Sequence, residues 1–134
     1  MLTIYVMCGT PGSGKTTLSK QLAEEKKLVR FSYDEMHCFD LRDLMRPAVG
    51  ALRDGKNVIV DNVNNRIKGR EMLLNYVKDI PCKKILVFMN TPLDECKKRN
   101  ANRQNRLPDY FIEGIHNALQ IPTLDEGWDE ILYY

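Results

Sequence analysis

The stretch "TIYVMCGTPGSGKTT", residues 3–17, decides the fold of this chain. Its first six residues are an apolar run typical of a buried strand, and the residues after Lys15 are good helix formers. Between them, Gly9, Gly14, Lys15 and Thr16 follow the spacing G-x-x-x-x-G-K-T. A glycine-rich loop that joins a strand to a helix turns backbone N–H groups inward and presents the positive end of the helix. The pattern therefore favours a phosphate-binding loop over a glycine-rich turn without a ligand.

We predict that this loop holds the phosphates of ATP. Lys15 is expected to reach the β- and γ-phosphates, and the hydroxyl of Thr16 is expected to ligate Mg²⁺. The predicted nucleotide-binding residues are Gly9, Thr10, Pro11, Gly12, Ser13, Gly14, Lys15, Thr16 and Thr17.

The composition is that of one ordinary globular domain. The chain has 134 residues, of which 43% are hydrophobic and 28% charged, a balance that excludes a disordered chain. A net charge of +2 is too small to indicate a partner. No apolar stretch approaches the roughly 20 residues that cross a bilayer, and the first residues lack the pattern of a signal peptide. We therefore expect a cytoplasmic protein without a membrane partner, and its four cysteines, which show no C-x-x-C spacing, are expected to be reduced thiols.

Short β runs alternate with helical stretches along the chain. This alternation predicts an α/β fold with a central, mostly parallel sheet of four to five strands. The runs "NVIV" (57–60) and "ILVF" (85–88) are continuously apolar, as expected of strands covered on both faces. The predicted strands are Thr3–Cys8, Leu28–Ser32, Asn57–Val60, Ile85–Asn90 and Glu130–Tyr133.

Helices are predicted between these strands. Pro92 is expected in the first turn of the fourth helix with Thr91 as its cap. In the third helix, Ile67, Leu74 and Val77 are expected to face the sheet. The predicted helices are Lys15–Lys26, one within Glu35–Arg53, Arg66–Val77, Pro92–Arg103 and Asp109–Leu119.

Two aspartates follow predicted strands. Because ligands of open α/β sheets bind beyond the carboxyl ends of the strands, Asp34 and Asp61 are expected beside the phosphate loop. Asp61 stands where P-loop proteins keep an acidic residue for the magnesium shell, although the turn-prone "DNVNN" also allows a capping role. From the acceptor side, Asp34 could take a proton from an attacking hydroxyl. The alternative for Asp34 is an N-cap of a helix that starts at "EMHC".

The segment "CKKRNANRQNR" (96–106) is strongly basic. Arg99, Arg103 and Arg106 are spaced i, i+4, i+7 and would share one face of a continuing helix. Like charges on one face destabilise an isolated helix, a penalty that is tolerable when the face meets phosphates. We predict a lid over about residues 97–108 whose arginines stabilise charge on the transferring group. A solvated basic helix is the alternative.

These features together resemble a known family. The phosphate loop, "SYDE" (32–35), "GKNVIVDNVNNR" (55–66), the Arg-rich segment and "QIPTLDEGWDEIL" (120–132) are similar to the kinase domain of 5′-hydroxyl polynucleotide kinases. The resemblance runs in order from Ile4 to about Leu132. It implies a single P-loop kinase domain over residues 1–134, with the three-layer, nucleotide-kinase-like P-loop NTPase fold.

The resemblance also implies a function. This is ATP- and Mg²⁺-dependent phosphorylation of the 5′-OH end of DNA or RNA, with a role in nucleic acid repair. Asp34 would be the general base, and Arg99 and Arg103 would be lid arginines. The segment around Pro122–Trp128 would lie near the adenine, although Trp128 could equally fill the core. His37 stands where phage-type members carry an arginine that contacts the acceptor phosphate.

Two other functions stay open at this point. The first is a P-loop kinase of a nucleoside, a nucleotide or another small hydroxyl metabolite, which shares the same motifs. The second is an ATP-binding switch module that hydrolyses ATP slowly and acts through a partner. The sequence does not decide between DNA and RNA, nor the oligomeric state.

Overall fold

A five-stranded, all-parallel β-sheet forms the centre of the structure, a computed structural model that describes residues 1–134. The strand order is β2-β3-β1-β4-β5. The strands are β1 (Thr3–Cys8), β2 (Val29–Ser32), β3 (Val58–Asp61), β4 (Lys83–Phe88) and β5 (Glu130–Tyr133). The helices are α1 (Lys15–Lys26), α2 (Leu41–Arg53), α3 (Ile67–Val77), α4 (Leu93–Ala101) and α5 (Asp109–Asn117), and a 3₁₀ turn covers Leu124–Glu126.

Strand β1 lies in the middle of the sheet and delivers the phosphate loop to its centre. Val6 pairs with Val60 of β3 on one side and with Leu86 of β4 on the other. All four residues of β3 are buried, as are the last four of β4. The prediction that these continuous apolar runs form strands covered on both faces is thus confirmed.

The hydrophobic core lies on both sides of the sheet. The larger cluster joins the sheet to α2 and α3, through residues such as Leu44, Leu52 and Leu73. A smaller cluster lies under α1 and includes Leu22. Trp128 is 4% exposed and belongs to the larger cluster. The indole of Trp128 thus fills the core, which is one of the two roles that the sequence left open for it.

The predicted order of strands and helices is confirmed, and most of the ends agree within one or two residues. The prediction for the start of the fourth helix is wrong. Pro92 has the extended ψ of 148° and precedes the helix rather than joining its first turn. Thr91 does not cap the helix, because its hydroxyl donates to the carbonyl of Ser13 at 2.8 Å.

Helix α3 corrects a second prediction. Ile67 is 41% exposed and does not face the sheet, whereas Leu73 and Val77 are buried. The third buried position is Arg70, which is completely inaccessible to solvent. Helix α3 therefore buries a charged side chain on the face for which the sequence pattern predicted only apolar residues.

No helix combines the length and the apolar character that a bilayer-spanning segment requires. All four cysteines are free thiols. Burial raises the pKa of the Cys8 thiol to about 11, so this residue at the end of β1 stays protonated. Its Sγ donates to the carbonyl of Asn64 at 3.2 Å, which joins β1 to the loop after β3.

Candidate active site

The phosphate loop connects Cys8 at the end of β1 to Lys15 at the start of α1. Gly12 and Gly14 have φ values of +87° and +100°, a conformation that favours glycine. A Cβ atom on Gly12 would lie 2.4 Å from the carbonyl oxygen of Cys96 in α4. Glycine is therefore needed at position 12 both for the backbone conformation and for the contact with α4.

The loop presents a group of backbone donors that no protein atom accepts from. These amides, at the positive end of α1, are those of Gly12, Gly14, Lys15, Thr16 and Thr17. The hydroxyl of Ser13 is buried in the same loop without a hydrogen-bond partner. Converging amides at a helix N-terminus are the standard protein site for phosphate. The predicted nucleotide-binding residues thus form a site that fits the phosphates of a nucleotide.

Lys15 places a cation in this loop. Its ammonium donates to the carbonyl of Thr10 at 3.4 Å. Burial lowers the pKa of Lys15 below its ordinary value, and the charges of Asp61 and then Asp34 oppose that effect. The charges of Asp34 and Asp61 are therefore close enough to Lys15 to influence its pKa.

Asp61 is buried and held by two donors. Its Oδ2 accepts hydrogen bonds from Ser19 Oγ at 2.8 Å and from Arg30 Nη2 at 3.0 Å. Ser19 Oγ also lies 3.2 Å from the carbonyl of Thr16, so Asp61 is fixed beside the first turn of α1. A hydroxyl and a carboxylate are hard oxygen donors that suit Mg²⁺, which completes its shell with phosphate oxygens and water. Thr16 and Asp61 therefore fit the predicted metal role.

Asp34 lies in the turn after β2 and is exposed. The alternative role of Asp34 as a helix cap is wrong, because α2 begins at Leu41 and the side chain of Asp40 accepts from Asp43 N at its start. The carboxylate of Asp34 makes no hydrogen bond and no ion pair, whereas the neighbouring Glu35 pairs with Arg30. Of Asp34, Glu35 and Asp61, only Asp34 is unpaired.

The basic segment does not form one continuous helix. Helix α4 ends at Ala101, so Arg99, Arg103 and Arg106 do not share a helix face, and that prediction is wrong. The side chain of Asn100 causes the turn, because it accepts from Leu107 N at 3.0 Å and donates to Leu107 O at 2.7 Å.

One of the three arginines nevertheless contacts the phosphate loop, and the charge of a second influences the loop lysine. Arg99 Nη1 donates to the carbonyl of Ser13 at 3.0 Å. Arg103 has no ion pair, and its charge contributes to the lowered pKa of Lys15. Arg106 lies 3.6 Å from Asp109 and is thereby paired at the start of α5.

Arg70 is a residue that the sequence reasoning missed. Its guanidinium donates twice to Glu126, at 2.7 and 3.0 Å, and also to the carbonyls of Asn64 and Gln120 at 2.9 Å each. The spacing i, i+3, i+7 of Arg70, Leu73 and Val77 could have revealed that Arg70 lies on the buried face.

A groove, here called the α5 groove, lies between the loop after β3 and helix α5. It has a volume of about 490 Å³, and its walls include Arg66, Tyr110 and Phe111. Tyr110 is 76% exposed and Phe111 47%, and the guanidinium of Arg66 has no partner. Helix α5 also contacts the phosphate loop, because Nδ1 of His116, which does not line the groove, lies 3.4 Å from the hydroxyl of Thr10. Neither His116 nor the groove was expected from the sequence.

Comparison with known proteins assigns this geometry to a family. The family model described as an AAA domain (AAA_33) matches residues 4–119. The chain belongs to this AAA domain family. Like the sugar kinase from Janibacter sp. HTCC2649, this member has the P-loop kinase-like α/β fold: the crystal structure of that protein superposes with a TM-score of 0.76 over 99% of this chain and 86% of the other, at 18% identity. The predicted fold class is thus confirmed, with an all-parallel sheet of five strands.

Curated proteins similar to this AAA domain include two that are named as kinases. The chain is 25% identical over 136 residues to the bifunctional polynucleotide phosphatase/kinase of Schizosaccharomyces pombe, covering 96% of this chain and 32% of that protein. It is 26% identical over 142 residues to the L-seryl-tRNA(Sec) kinase of Methanococcus maripaludis, covering 94% of this chain and 56% of that protein. The chain therefore spans little more than half of one relative and a third of the other. The resemblance to polynucleotide kinases is a distant homology shared with other kinases.

Proposed function

We propose that this domain transfers the γ-phosphoryl group of ATP to the 5′-hydroxyl end of a DNA or RNA oligonucleotide. The observation that carries the proposal is the free carboxylate of Asp34, close enough to Lys15 in the phosphate loop to influence its pKa. A general base must be able to accept a proton, which a carboxylate held in an ion pair does poorly. The neighbouring carboxylates of Glu35 and Asp61 are both held by Arg30.

The other site residues supply positioning and charge, which phosphoryl transfer needs most. The loop amides and Lys15 bind the phosphates of ATP, and Arg99 and Arg103 stabilise charge on the transferring group. Thr16 and Asp61 would hold Mg²⁺, which neutralises charge on the β- and γ-phosphates. The O–H bond of the acceptor breaks as its proton passes to Asp34. The acceptor oxygen then bonds to the γ-phosphorus. The bond from that phosphorus to the oxygen that bridges it to the β-phosphate breaks, and ADP leaves.

The α5 groove favours an oligonucleotide over a small metabolite. Bases of a single strand stack on exposed aromatic rings such as Tyr110, and an unpaired arginine such as Arg66 attracts the phosphate backbone. A kinase of a small hydroxyl compound needs only an enclosed acceptor pocket. The names of both curated relatives, a polynucleotide kinase and a tRNA kinase, agree with a nucleic acid acceptor.

A competition assay with labelled ATP tests the proposal. The protein is incubated with Mg²⁺, a 5′-OH oligonucleotide, free nucleosides and sugars, and the label is followed. We expect it on the oligonucleotide, at a rate that falls steeply with salt because several phosphates are contacted. Label on a nucleoside or sugar alone would instead identify a small-metabolite kinase. ATP binding without transfer to any acceptor would identify a switch module.

Two variants test the assigned roles. Asp34→Asn is expected to lower kcat by about 10²- to 10⁴-fold, the usual contribution of a general base, while ATP still binds. Lys15→Ala is expected to abolish turnover by removing the cation of the phosphate loop. Asp79→Asn changes an exposed aspartate after α3 and serves as the control. If Asp34→Asn keeps the wild-type rate, Asp34 is not the base.

A further inference from the structure

Arg30 of β2 joins three other parts of the active site through one guanidinium. Its Nε donates to Ser19 Oγ of α1 at 2.8 Å, and its Nη2 donates to Asp61 Oδ2 at the end of β3 at 3.0 Å. Its Nη1 pairs with Glu35 in the turn after β2. The side chain of Arg30 is only 15% exposed and that of Asp61 6%, so solvent screens their contact weakly, whereas Glu35 is half exposed. Arg30 itself reaches no part of the phosphate loop.

The contacts of Arg30 and Ser19 with Asp61, here called the first arm, orient the carboxylate of Asp61. Both Ser19 and Arg30 donate to the same oxygen, Oδ2, which leaves Oδ1 without a protein donor. The carboxylate therefore cannot rotate freely without breaking two hydrogen bonds. Ser19 also contacts the carbonyl of Thr16, so Asp61 and Thr16 keep a fixed relation.

The contact of Arg30 with Glu35, here called the second arm, anchors the turn that carries Asp34. Glu35 follows Asp34 directly, and it is held by Arg30, by Lys20 at 3.9 Å and by a backbone hydrogen bond to Ser32 Oγ at 3.4 Å. The hydrogen bond from Arg30 lowers the pKa of Glu35, so the anchor stays ionised. The side chain of Asp34 makes no hydrogen bond or ion pair of its own, and its backbone carbonyl accepts from His37 N at 3.1 Å within the turn. The position of Asp34 thus depends on its neighbour.

We propose that Arg30 is a positioning residue that sets the distance between the base Asp34 and the metal-side carboxylate Asp61. This inference rests on the proposed function, because it assumes that both carboxylates take part in phosphoryl transfer. Arg30 also pairs with both Asp61 and Glu35, which leaves Asp34 as the one carboxylate of the three without an ion pair. A purely structural Arg30 would stabilise the fold without affecting either role.

Three variants separate the two arms. Arg30→Lys keeps the charge but loses the planar fork, Glu35→Gln weakens the arm to the Asp34 turn, and Ser19→Ala removes one donor to Asp61. Lys83→Gln is the matched control, because it breaks an exposed ion pair of 3.3 Å with Glu130 at the opposite end of the sheet. Thermal melting of each variant reports any effect on folding.

We expect Arg30→Lys and Glu35→Gln to lower kcat by about 10- to 100-fold, the usual effect of losing a supporting contact to a site residue. At saturating Mg²⁺, ATP affinity should change little in both, since the phosphate loop is intact. Ser19→Ala and Arg30→Lys should raise the Mg²⁺ concentration at half-saturation of ATP binding, by about 10-fold. Glu35→Gln should leave that concentration unchanged. Lys83→Gln should behave as the wild type in every measurement.

Two results would overturn the inference. One is wild-type kcat in Arg30→Lys and Glu35→Gln. The other is unchanged Mg²⁺ dependence of ATP binding in Ser19→Ala and Arg30→Lys. If the wild type phosphorylates no acceptor, the proposed function fails instead. The Mg²⁺ titration, followed by calorimetry without any acceptor, then still decides whether Arg30 and Ser19 orient Asp61.

Discussion

At the scale of single residues, Gly12 shows how closely the phosphate loop packs against α4. Its φ of +87° is strained for any other residue, and a Cβ there would approach the Cys96 carbonyl to 2.4 Å. We expect Gly12→Ala to lower the free energy of unfolding by about 1–3 kcal/mol, the range for residues held in unfavourable backbone conformations. ATP binding should weaken too, because relief of the clash shifts the loop amides. Urea unfolding and calorimetry measure the two effects.

A second glycine provides the control. Gly50 lies within α2, and a Cβ at this position would meet nothing within 4 Å. Gly50→Ala should therefore raise the free energy of unfolding by up to about 1 kcal/mol, because alanine loses less backbone entropy in a helix. Equal stability and equal ATP affinity of Gly12→Ala and the wild type would contradict the account of the loop.

At the scale of elements, the sequence predicts what depends on local pattern. The ends of β1 and α1 agree with prediction, because the glycine motif lies between a clear apolar run and strong helix formers. The rule that parallel strands end at one sheet edge correctly predicted that Asp34 and Asp61 lie near Lys15.

What the sequence did not predict depends on distant contacts. The end of α4 is set by Asn100, whose side chain holds the backbone of Leu107, and nothing in the polar run 97–106 marks that turn. The role of Arg30 depends on the pairing of β2 with β3, where Ser32 lies opposite Asp61. Arg70 was missed because hydropathy argues against a buried arginine unless its partner Glu126 is known.

The turn after α4 leads to a prediction about the lid arginines. Because Arg103 is unpaired near Lys15 while Arg106 pairs with Asp109, Arg103 rather than Arg106 is available to the transferring phosphoryl group. Arg103→Ala is expected to lower kcat by about 10²- to 10³-fold, as for other single donors to a developing charge. Arg106→Ala, a matched change three residues on, should alter kcat little. Steady-state kinetics of the two variants measure the difference, and equal losses would mean that the segment acts only through its net charge.

At the scale of the whole molecule, the buried pair of Arg70 and Glu126 ties the chain before β5 to the site. Arg70 also donates to the carbonyl of Asn64, and Asn64 Nδ2 donates to Met7 O in β1 at 2.8 Å. The backbone N–H of Gly9, at the start of the phosphate loop, donates to Val63 O at 3.0 Å. One ion pair therefore supports the strand and the loop that hold the nucleotide site.

This ion pair predicts how stability depends on pH. Burial by itself raises the pKa of Glu126, but hydrogen bonds from Arg70, Trp128 and the backbone of Thr123 outweigh it, and the net pKa lies below the ordinary value of 4.5. A depressed pKa in the folded state means that the stabilisation is present above pH 4.5 and is lost as the pH falls through the lower folded value. Glu126→Gln should therefore lower the free energy of unfolding at pH 7 by about 3–5 kcal/mol, since it leaves Arg70 buried without a counter-charge.

Below pH 4.5 the difference between the wild type and Glu126→Gln should narrow, because a protonated Glu126 resembles glutamine. Denaturant unfolding across this pH range measures the effect. Glu130→Gln breaks the exposed pair with Lys83 and serves as the control, with an expected loss of at most about 1 kcal/mol. A gap between wild type and Glu126→Gln that stays constant through acid pH would show that Glu126 supports the fold through packing. The negative charge of Glu126 would then contribute nothing to the free energy of unfolding.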